Sequence, residues 1–328
     1  MFLRINLITF LIITFITGCS SSINYINAVN DSILETNGNQ LNILTYNIQA
    51  IGNKEDELTD GLVSYLNEEQ YDFVVFQELF SESERKEIIG KIDTSKYKSI
   101  ISRIDYDSFP ESLYQDAGLF LMSKHKQIDL SKIDFGDAVK HTDKAIHKML
   151  KKEISLSQDF LSNKSVVGSL YQINDSTKMF LFATHVQALG SATHKRLQLN
   201  QIKKFIFGSV HKVIKEGVIS DPGNLIVVLA GDFNIDAYDE EKFLRLRKSL
   251  GYPRDFHKEF NKGEIEYSMS FKFFNFFKRF DYIFGYDKLN DINLKKIKIS
   301  SINTTDVIGT NHQSISDHLA LKATIIID

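Results

Sequence analysis

Apolar residues in this chain gather in short runs that stop abruptly at a polar side chain. The clearest run, residues 225–229, reads Leu-Ile-Val-Val-Leu, as expected of a strand buried on both faces. It passes through Ala230 and Gly231 into Asp232 and Asn234, two residues apart. If the extended geometry persists, those two side chains leave on one face. Such a pair suits a phosphate, a water or a metal shell. It equally suits an ordinary turn, because Asp, Asn and Gly are the residues turns favour.

The same pattern recurs along the chain. Residues 41–46 read as a strand ending at Asn47, and 71–76 as one ending in Gln77-Glu78. Residues 118–122 form another, 151–156 a mid-chain strand, and 179–184 one that ends in His185. Residues 280–284 carry Asp281 in an otherwise apolar run, and Ser316-Asp317-His318 precede a last apolar strand over 319–327. Helical spacing appears in 55–69 (Leu58, Leu62, Tyr65, Leu66) and 195–216 (Leu199, Ile202, Phe205, Ile206), with a third helix over 239–250. This mixture predicts an α/β protein, a four-layer α/β/β/α sandwich of two mixed sheets with helices outside.

Composition narrows the class. With 328 residues, 25% charged and 43% hydrophobic, the chain can bury a large core as a globular protein. A formal net charge of −3 carries no electrostatic footprint of a dedicated nucleic-acid binder, although a nuclease needs only local positive charge. With 3 prolines and no Gly/Ser-rich divider, residues 38–328 read as one domain.

The N-terminus is different. Arg4 precedes an apolar run from Ile5 to Ile16, too short to span a bilayer comfortably but suited to a secretory signal. Ile16-Thr17-Gly18-Cys19 looks like a bacterial lipobox, whose cysteine is lipidated. Cys19 is the sole cysteine, so it has no disulfide partner in the chain. The expectation is a lipoprotein signal peptide over 1–18, a lipidated tether over 19–37, and an extracytoplasmic domain, anchored or secreted. An incidental cysteine after a plain signal peptide is the plainer alternative.

Each polar strand end has an ordinary explanation. Glu78 suits a helix-capping acid, His185 a satisfied core histidine, and Asp317 a turn. Six such coincidences in one chain are harder to dismiss. Burying an unpaired Asp281 is costly, so it needs a partner, and His318 is the natural one.

Leu44-Thr-Tyr-Asn47, Phe76-Gln-Glu78, Thr184-His185, Gly231-Asp-Phe-Asn234, Asp281-Tyr282 and Ser316-Asp-His318 occur in the order seen in the endonuclease/exonuclease/phosphatase superfamily. The chain resembles that superfamily, whose founding fold is that of deoxyribonuclease I, over residues 41–327. Among its branches, Thr184-His-Val-Gln-Ala188, residues 198–206 and Gln77-Glu-Leu-Phe80 look most like the bacterial neutral sphingomyelinases. That family carries an Asp followed five residues later by Lys-Gly. Asp143 and Lys148 have the spacing, but Met149 replaces the glycine, and a solvated lysine-rich segment is the plainer reading. Phe271 to Phe280 holds six phenylalanines among Lys272, Lys278 and Arg279, a composition suited to a lipid interface. The alternative is a buried start to the Asp281 strand.

The resemblance implies a Mg²⁺-dependent phosphodiesterase, with Mn²⁺ or Co²⁺ as substitutes. Glu78 would hold the metal with Asn47, supported by Asp317. Asp232 and Asn234 would position water and phosphate, and His185 would stabilise transition-state oxygens. His318, oriented by Asp281, would be the general base, with Asp232 as the other candidate. The implied substrate is membrane sphingomyelin, cleaved to ceramide and phosphocholine, with no protein partner. A secreted nuclease of the same superfamily, acting on nucleic acid, is the alternative.

Overall fold

The computed structural model describes residues 23–27, 39–50, 56–69, 71–104, 115–136, 140–152, 162–271 and 276–327. In chain order the elements are β1 (Ile23–Asn27), β2 (Gln40–Ala50), α1 (Asp56–Glu69), β3 (Phe73–Leu79), α2 (Glu82–Lys91), β4 (Ser99–Ile104) and β5 (Phe120–Ser123). Then come β6 (Lys126–Gln127), β7 (Lys140–His141), β8 (Ala145–Met149), β9 (Ser165–Gln172), β10 (Lys178–His185), α3 (Ala192–Lys215) and β11 (Leu225–Asp232). The last part holds α4 (Glu240–Leu250), β12 (Arg254–Asp255), α5 (Phe256–Asn261), β13 (Met269–Phe271), β14 (Phe276–Lys278) and β15 (Asp281–Tyr286). It closes with β16 (Lys288–Leu289), β17 (Ile292–Asn293), β18 (Ile297–Thr305) and β19 (Ala320–Ile327).

Two large sheets form, in the orders β1-β4-β5-β3-β2-β19-β18 and β12-β15-β11-β10-β9-β8-β7. Three apolar clusters mark the interfaces of four layers. Leu44, Val74, Leu62 and Ile88 join α1 and α2 to the outer face of the first sheet. Ile43, Val75, Leu181, Val228 and Ile283 fill the space between the sheets. Phe182, Leu229, Ile202, Phe205 and Leu246 join the second sheet to α3 and α4. The predicted α/β/β/α sandwich is therefore the observed one, because central strands buried on both faces need a partner layer on each side.

Local chemistry sets the helix ends. Ser191 accepts a hydrogen bond from His194 N and starts α3 three residues before the predicted boundary. Asp239 caps α4, Glu240 and Glu241 occupy its first turn, and Arg247 and Lys248 its last, before Gly251 closes it in the left-handed conformation.

Three expectations need correction or relocation. No strand covers the described part of 151–156; the mid-chain strands are β8 and β9, set by the pairing of Ile146 with Gly168 and of Val167 with Ala183. Residues 23–27, expected within the tether, pair antiparallel with β4 as an edge strand of the first sheet. Phe271 to Phe280 does not simply begin β15: β13 and β14 pair as a separate two-stranded ribbon. Residues 1–18 and Cys19 lie outside the described residues. Among the described residues, no helix is long and apolar enough to cross a membrane.

The two sheets deliver the site at one end. β10 and β11 run parallel, with His185 beside Asp232, and β15 runs antiparallel, setting Asp281 beside Asp232. Ala183, Ala230 and Ile283, two residues along each strand, lie between the sheets, so the pleat aims all three polar side chains there. In the facing sheet the parallel pair β2 and β3 sets Asn47 beside Gln77, adjacent to Glu78.

One glycine makes this row possible. Gly231 has φ 143°, and a Cβ there would stand 1.9 Å from Thr184 O on the neighbouring strand. Gly231→Ala is expected to destabilise the fold by about 3 kcal/mol or more, because the clash is with backbone. Exposed Gly208 in α3, whose added Cβ meets nothing, is the control: Gly208→Ala should stabilise by roughly 0.5–1 kcal/mol. Urea denaturation of both variants checks the contrast.

Candidate active site

At the strand ends the side chains form one connected cluster. Asn47 Nδ2 donates to Glu78 Oε1 at 3.1 Å and to Asp232 Oδ2 at 3.0 Å, bridging the two sheets. Its Oδ1 accepts from Gln49 N. Asp232 Oδ1 accepts from Asn234 N at 2.8 Å, which folds the chain back on itself at a φ of 50° for Asn234. Asn234 Nδ2 donates to Val186 O at 3.0 Å and lies 3.3 Å from His185 Nε2. His185 Nε2 lies 3.6 Å from Glu78 Oε1 and 3.8 Å from Asp232 Oδ2.

The other half of the cluster is a histidine–carboxylate pair. His318 Nδ1 meets Asp281 Oδ2 at 2.8 Å, and His318 Nε2 lies 3.9 Å from Asp232 Oδ2. Ser268 holds this pair in register: its hydroxyl accepts from Asp281 N at 3.1 Å, and its carbonyl accepts from Leu319 N. Ser316 Oγ donates to Asn47 O at 2.7 Å, tying the segment of Asp317 and His318 to the end of β2.

Burial and charge set the protonation states. Asp232 is buried, and burial together with the neighbouring Asp281 charge raises its pKa to about 7. Burial opposes a charge on His318, but Asp281, Asp232 and Asp317 outweigh it and raise its pKa to about 10. His185 is the opposite case: burial, then Lys164 and His318, push its pKa well below the usual imidazole value. At neutral pH the site therefore pairs an imidazolium at His318 with a neutral imidazole at His185. Among the described residues, Asp281 Oδ1 and His185 Nδ1 are buried atoms that no protein group hydrogen-bonds.

The cluster also suits a cation. Asp232, Asp281 and Asp317 act on one cationic ring, His318, and Glu78 joins them through the Asn47 bridge to Asp232. Glu78 is more open than the two central carboxylates, 19% exposed against 1% for Asp232 and 0% for Asp281, and Asp317 is likewise only partly buried. A hard cation that keeps several waters fits beside such a partly exposed oxygen ligand. One atom each of Asp232, Asp281 and His318 also lie within 4.8 Å of one another, a group that could hold a metal. Asn47 presents its amide nitrogen, rather than its oxygen, to the two carboxylates, so as a ligand it would have to turn.

Asp143 and Lys148 sit elsewhere. Asp143 lies between β7 and β8, and Lys148 pairs with Val166, whose side chain belongs to the outer core. The pleat directs Lys148 to that outer face, two strands away from β10. The residue that sequence reasoning missed is Lys164, 2% exposed at the start of β9 and close enough to His185 to depress its pKa. The spacing of Asp followed five residues later by Lys is met at Asp159 and Lys164, with Ser165 in place of the glycine, but also at Asp93 and Lys98, Asp291 and Lys296, and Asp317 and Lys322, so spacing alone did not single it out. Asp159 lies outside the described residues.

No family model matches the sequence, and no curated relative matches it. Solved structures do match the fold. D. rerio TDP2 complexed with a single-strand DNA product is 16% identical, covering 87% of this chain and 98% of that one, with a TM-score of 0.56. A Staphylococcus aureus beta toxin mutant with bound magnesium ions is 17% identical, covering 87% and 99%, with a TM-score of 0.55. The chain has the deoxyribonuclease I-like fold. Sphingomyelinase C from Streptomyces griseocarneus shares it at 17% identity, over 87% of this chain and 99% of that one, with a TM-score of 0.55. Within this fold the cluster occupies the end of the sandwich where both parallel strand pairs terminate.

The geometry ties the charge of His318 to Asp281. Asp281→Asn removes the largest favourable influence on the imidazolium, so the His318 pKa should fall from about 10 toward the ordinary 6.5. Histidine ring NMR across a pH titration reads this directly; an unmoved His318 would refute the pairing.

Proposed function

We propose that the protein is a Mg²⁺-dependent phosphodiester hydrolase whose substrate is sphingomyelin, cleaved to ceramide and phosphocholine. The hydrolase reading is carried by one observation, the convergence of Asn47, Glu78, His185, Asp232, Asn234, Asp281 and His318 from two sheets into one cluster joined by hydrogen bonds and, between His318 and Asp232, a 3.9 Å ion-pair contact. The choice of sphingomyelin is supported by the Thr184–Ala188 segment and its following helix, and by the fold shared with a sphingomyelinase C.

Glu78, with Asn47 and Asp317, would hold the metal, which when bound would polarise the phosphodiester and offset charge on the leaving oxygen. The chain's own groups do the rest. Asp232, with a pKa of about 7, is poised to accept a proton from the attacking water, and its 2.8 Å bond from Asn234 N fixes the carboxylate. We therefore assign the base role to Asp232 and give His318 a different one. As an imidazolium held by Asp281, His318 would face the charge that develops on the phosphoryl oxygens. Asn234 Nδ2 and the neutral His185 would orient those oxygens by hydrogen bonding.

A specific feature keeps the nuclease reading in play. A cleft of about 890 Å³ runs from Asn234 between α3 and α4, lined by six lysines and arginines, among them Lys195, Arg196 and Lys248, against Asp236 and Asp239. Both acids are paired with lysines of the cleft, Lys278 and Lys242, so its excess is positive on a chain of net charge −3. Such a channel suits a substrate with further phosphates.

Sphingomyelin vesicles and plasmid DNA, offered in parallel with Mg²⁺ and then with chelator, separate the two. Phosphocholine release without DNA cleavage is expected, with Glu78→Ala reducing Mg²⁺-dependent turnover by about 100-fold or more. DNA cleavage without phosphocholine release would refute the lipid reading, and full turnover by Glu78→Ala would refute the metal assignment.

Lipidation of Cys19 and retention at a membrane belong to the same proposal. In a bacterial host, Cys19→Ser should move the protein from the detergent-rich to the aqueous phase of a phase partition. An unchanged partition would remove the anchor.

A further inference from the structure

Glu78 adopts a backbone conformation that its residue type disfavours. Its φ is 59°, a left-handed geometry costing roughly 1–2 kcal/mol for a residue with a side chain. Such a conformation persists only where the surroundings over-determine it, and beside Glu78 lies a charge cluster built from α2, β4 and the segment before β5.

Arg85, on α2, is 1% exposed. Its two terminal nitrogens donate to Asp116 Oδ2 and Oδ1, both at 2.8 Å, and Nη2 also donates to Leu79 O, the carbonyl of the residue after Glu78. Asp116 Oδ1 accepts from Gly118 N at 2.6 Å, and Gly118 O accepts from Leu79 N at 3.0 Å. Both backbone polar groups of Leu79 are thus held by one small network. Arg103 Nε makes a second ion-pair contact with Asp116 at 2.7 Å, and Glu82 Oε2 lies 3.5 Å from Arg103 Nη1. Two guanidiniums face two carboxylates, Asp116 buried between them and Glu82 at the solvent edge, 37% exposed, so the cluster carries little net charge.

Gly118 completes the clamp sterically. Its φ is +63°, and a Cβ there would stand 2.6 Å from Phe80 Cε1 and 3.0 Å from Glu78 Cα. The chain before and after Glu78 is therefore pinned on one side by β2, through the Asn47 bridge, and on the other by Arg85, Asp116 and Gly118.

We propose that Arg85, Asp116 and Gly118 are positioning residues that hold Glu78 in its left-handed conformation and so preset its carboxylate for a divalent cation. The inference rests on the reading of Glu78 as the metal-holding carboxylate. Arginine is needed at 85 because only its fork reaches both oxygens of Asp116 and the Leu79 carbonyl together; lysine keeps the charge and loses that geometry. A purely structural cluster would lower folding stability and leave the cation affinity of the folded protein untouched.

The test measures Mg²⁺ binding to the purified protein, without substrate, by isothermal titration calorimetry. Circular dichroism melts confirm that each variant is folded. Arg85→Lys and Gly118→Ala are each expected to raise the Mg²⁺ Kd about tenfold or more, the usual consequence of losing an outer partner of a ligand. Glu78→Gln should weaken binding as well, and adding Arg85→Lys to it should change Kd no further, because the two act through one carboxylate. Binding that weakens in Glu78→Gln but not in Arg85→Lys or Gly118→Ala overturns this inference and leaves the metal reading standing. A wild-type chain that binds no Mg²⁺, or a Glu78→Gln variant that binds as well as wild type, overturns both. Failure of both outer variants to fold also overturns it, since the cluster is then a stability element.

Discussion

Two carboxylates, Asp232 and Asp281, stand side by side on adjacent strands, 1% and 0% exposed. Like charges in that position repel, and burial removes the water that would screen them. The protein accommodates them in two ways. One proton stays on His318, between the pair, and Asp232 is left near the point of protonation at neutral pH. Hydrogen bonds from Asn47 Nδ2 and Asn234 N–H then hold the Asp232 carboxylate, His318 Nδ1 holds that of Asp281, and Ser268 Oγ accepts from Asp281 N to fix the backbone beneath it. A site that needs a poised carboxylate and a persistent imidazolium obtains both from the same electrostatic conflict.

That conflict is sustained by the architecture around it. Parallel pairing of β10 with β11 and of β2 with β3 brings four polar strand ends to one edge of the sandwich. The apolar inter-sheet core directly beneath excludes water from one side of the cluster. Gly231 lets β11 approach Thr184 closely enough for the row from His185 to Asp281 to form, and Ser268 joins the hairpin before β15 to the loop carrying His318. The strained conformation at Glu78 belongs to the same design: its carboxylate leaves the strand toward Asn47 because the following peptide is clamped from behind.

Much of this was legible in the residues, and the reasons are specific. Uninterrupted branched runs such as 225–229 identify strands buried on both faces, and four such strands with amphipathic helices between them admit few arrangements other than two sheets covered by helices. Less legible were strands β4, β8, β9 and β18. Arg103 in β4, His147 in β8 and Ser169 in β9 interrupt apolar alternation, and their placement depends on cross-strand partners. The pairing of Asp281 with His318 could be argued from the cost of an unpaired buried acid. The proton balance could not, because it depends on Asp232 lying 3.9 Å from the same ring.

The chain by itself determined which chemistry is available: carboxylates, carboxamides and imidazoles at strand ends, where side chains emerge from the core in a fixed direction. Tertiary structure decided which of them meet. Lys148 and Lys164 share one spacing from a preceding aspartate, yet the pleat of β8 turns Lys148 to the outer face, while the start of β9 buries Lys164 beside His185. Spacing along a chain is a one-dimensional quantity, and the face and the end of a sheet on which a residue lands are set by register with strands that are distant in sequence.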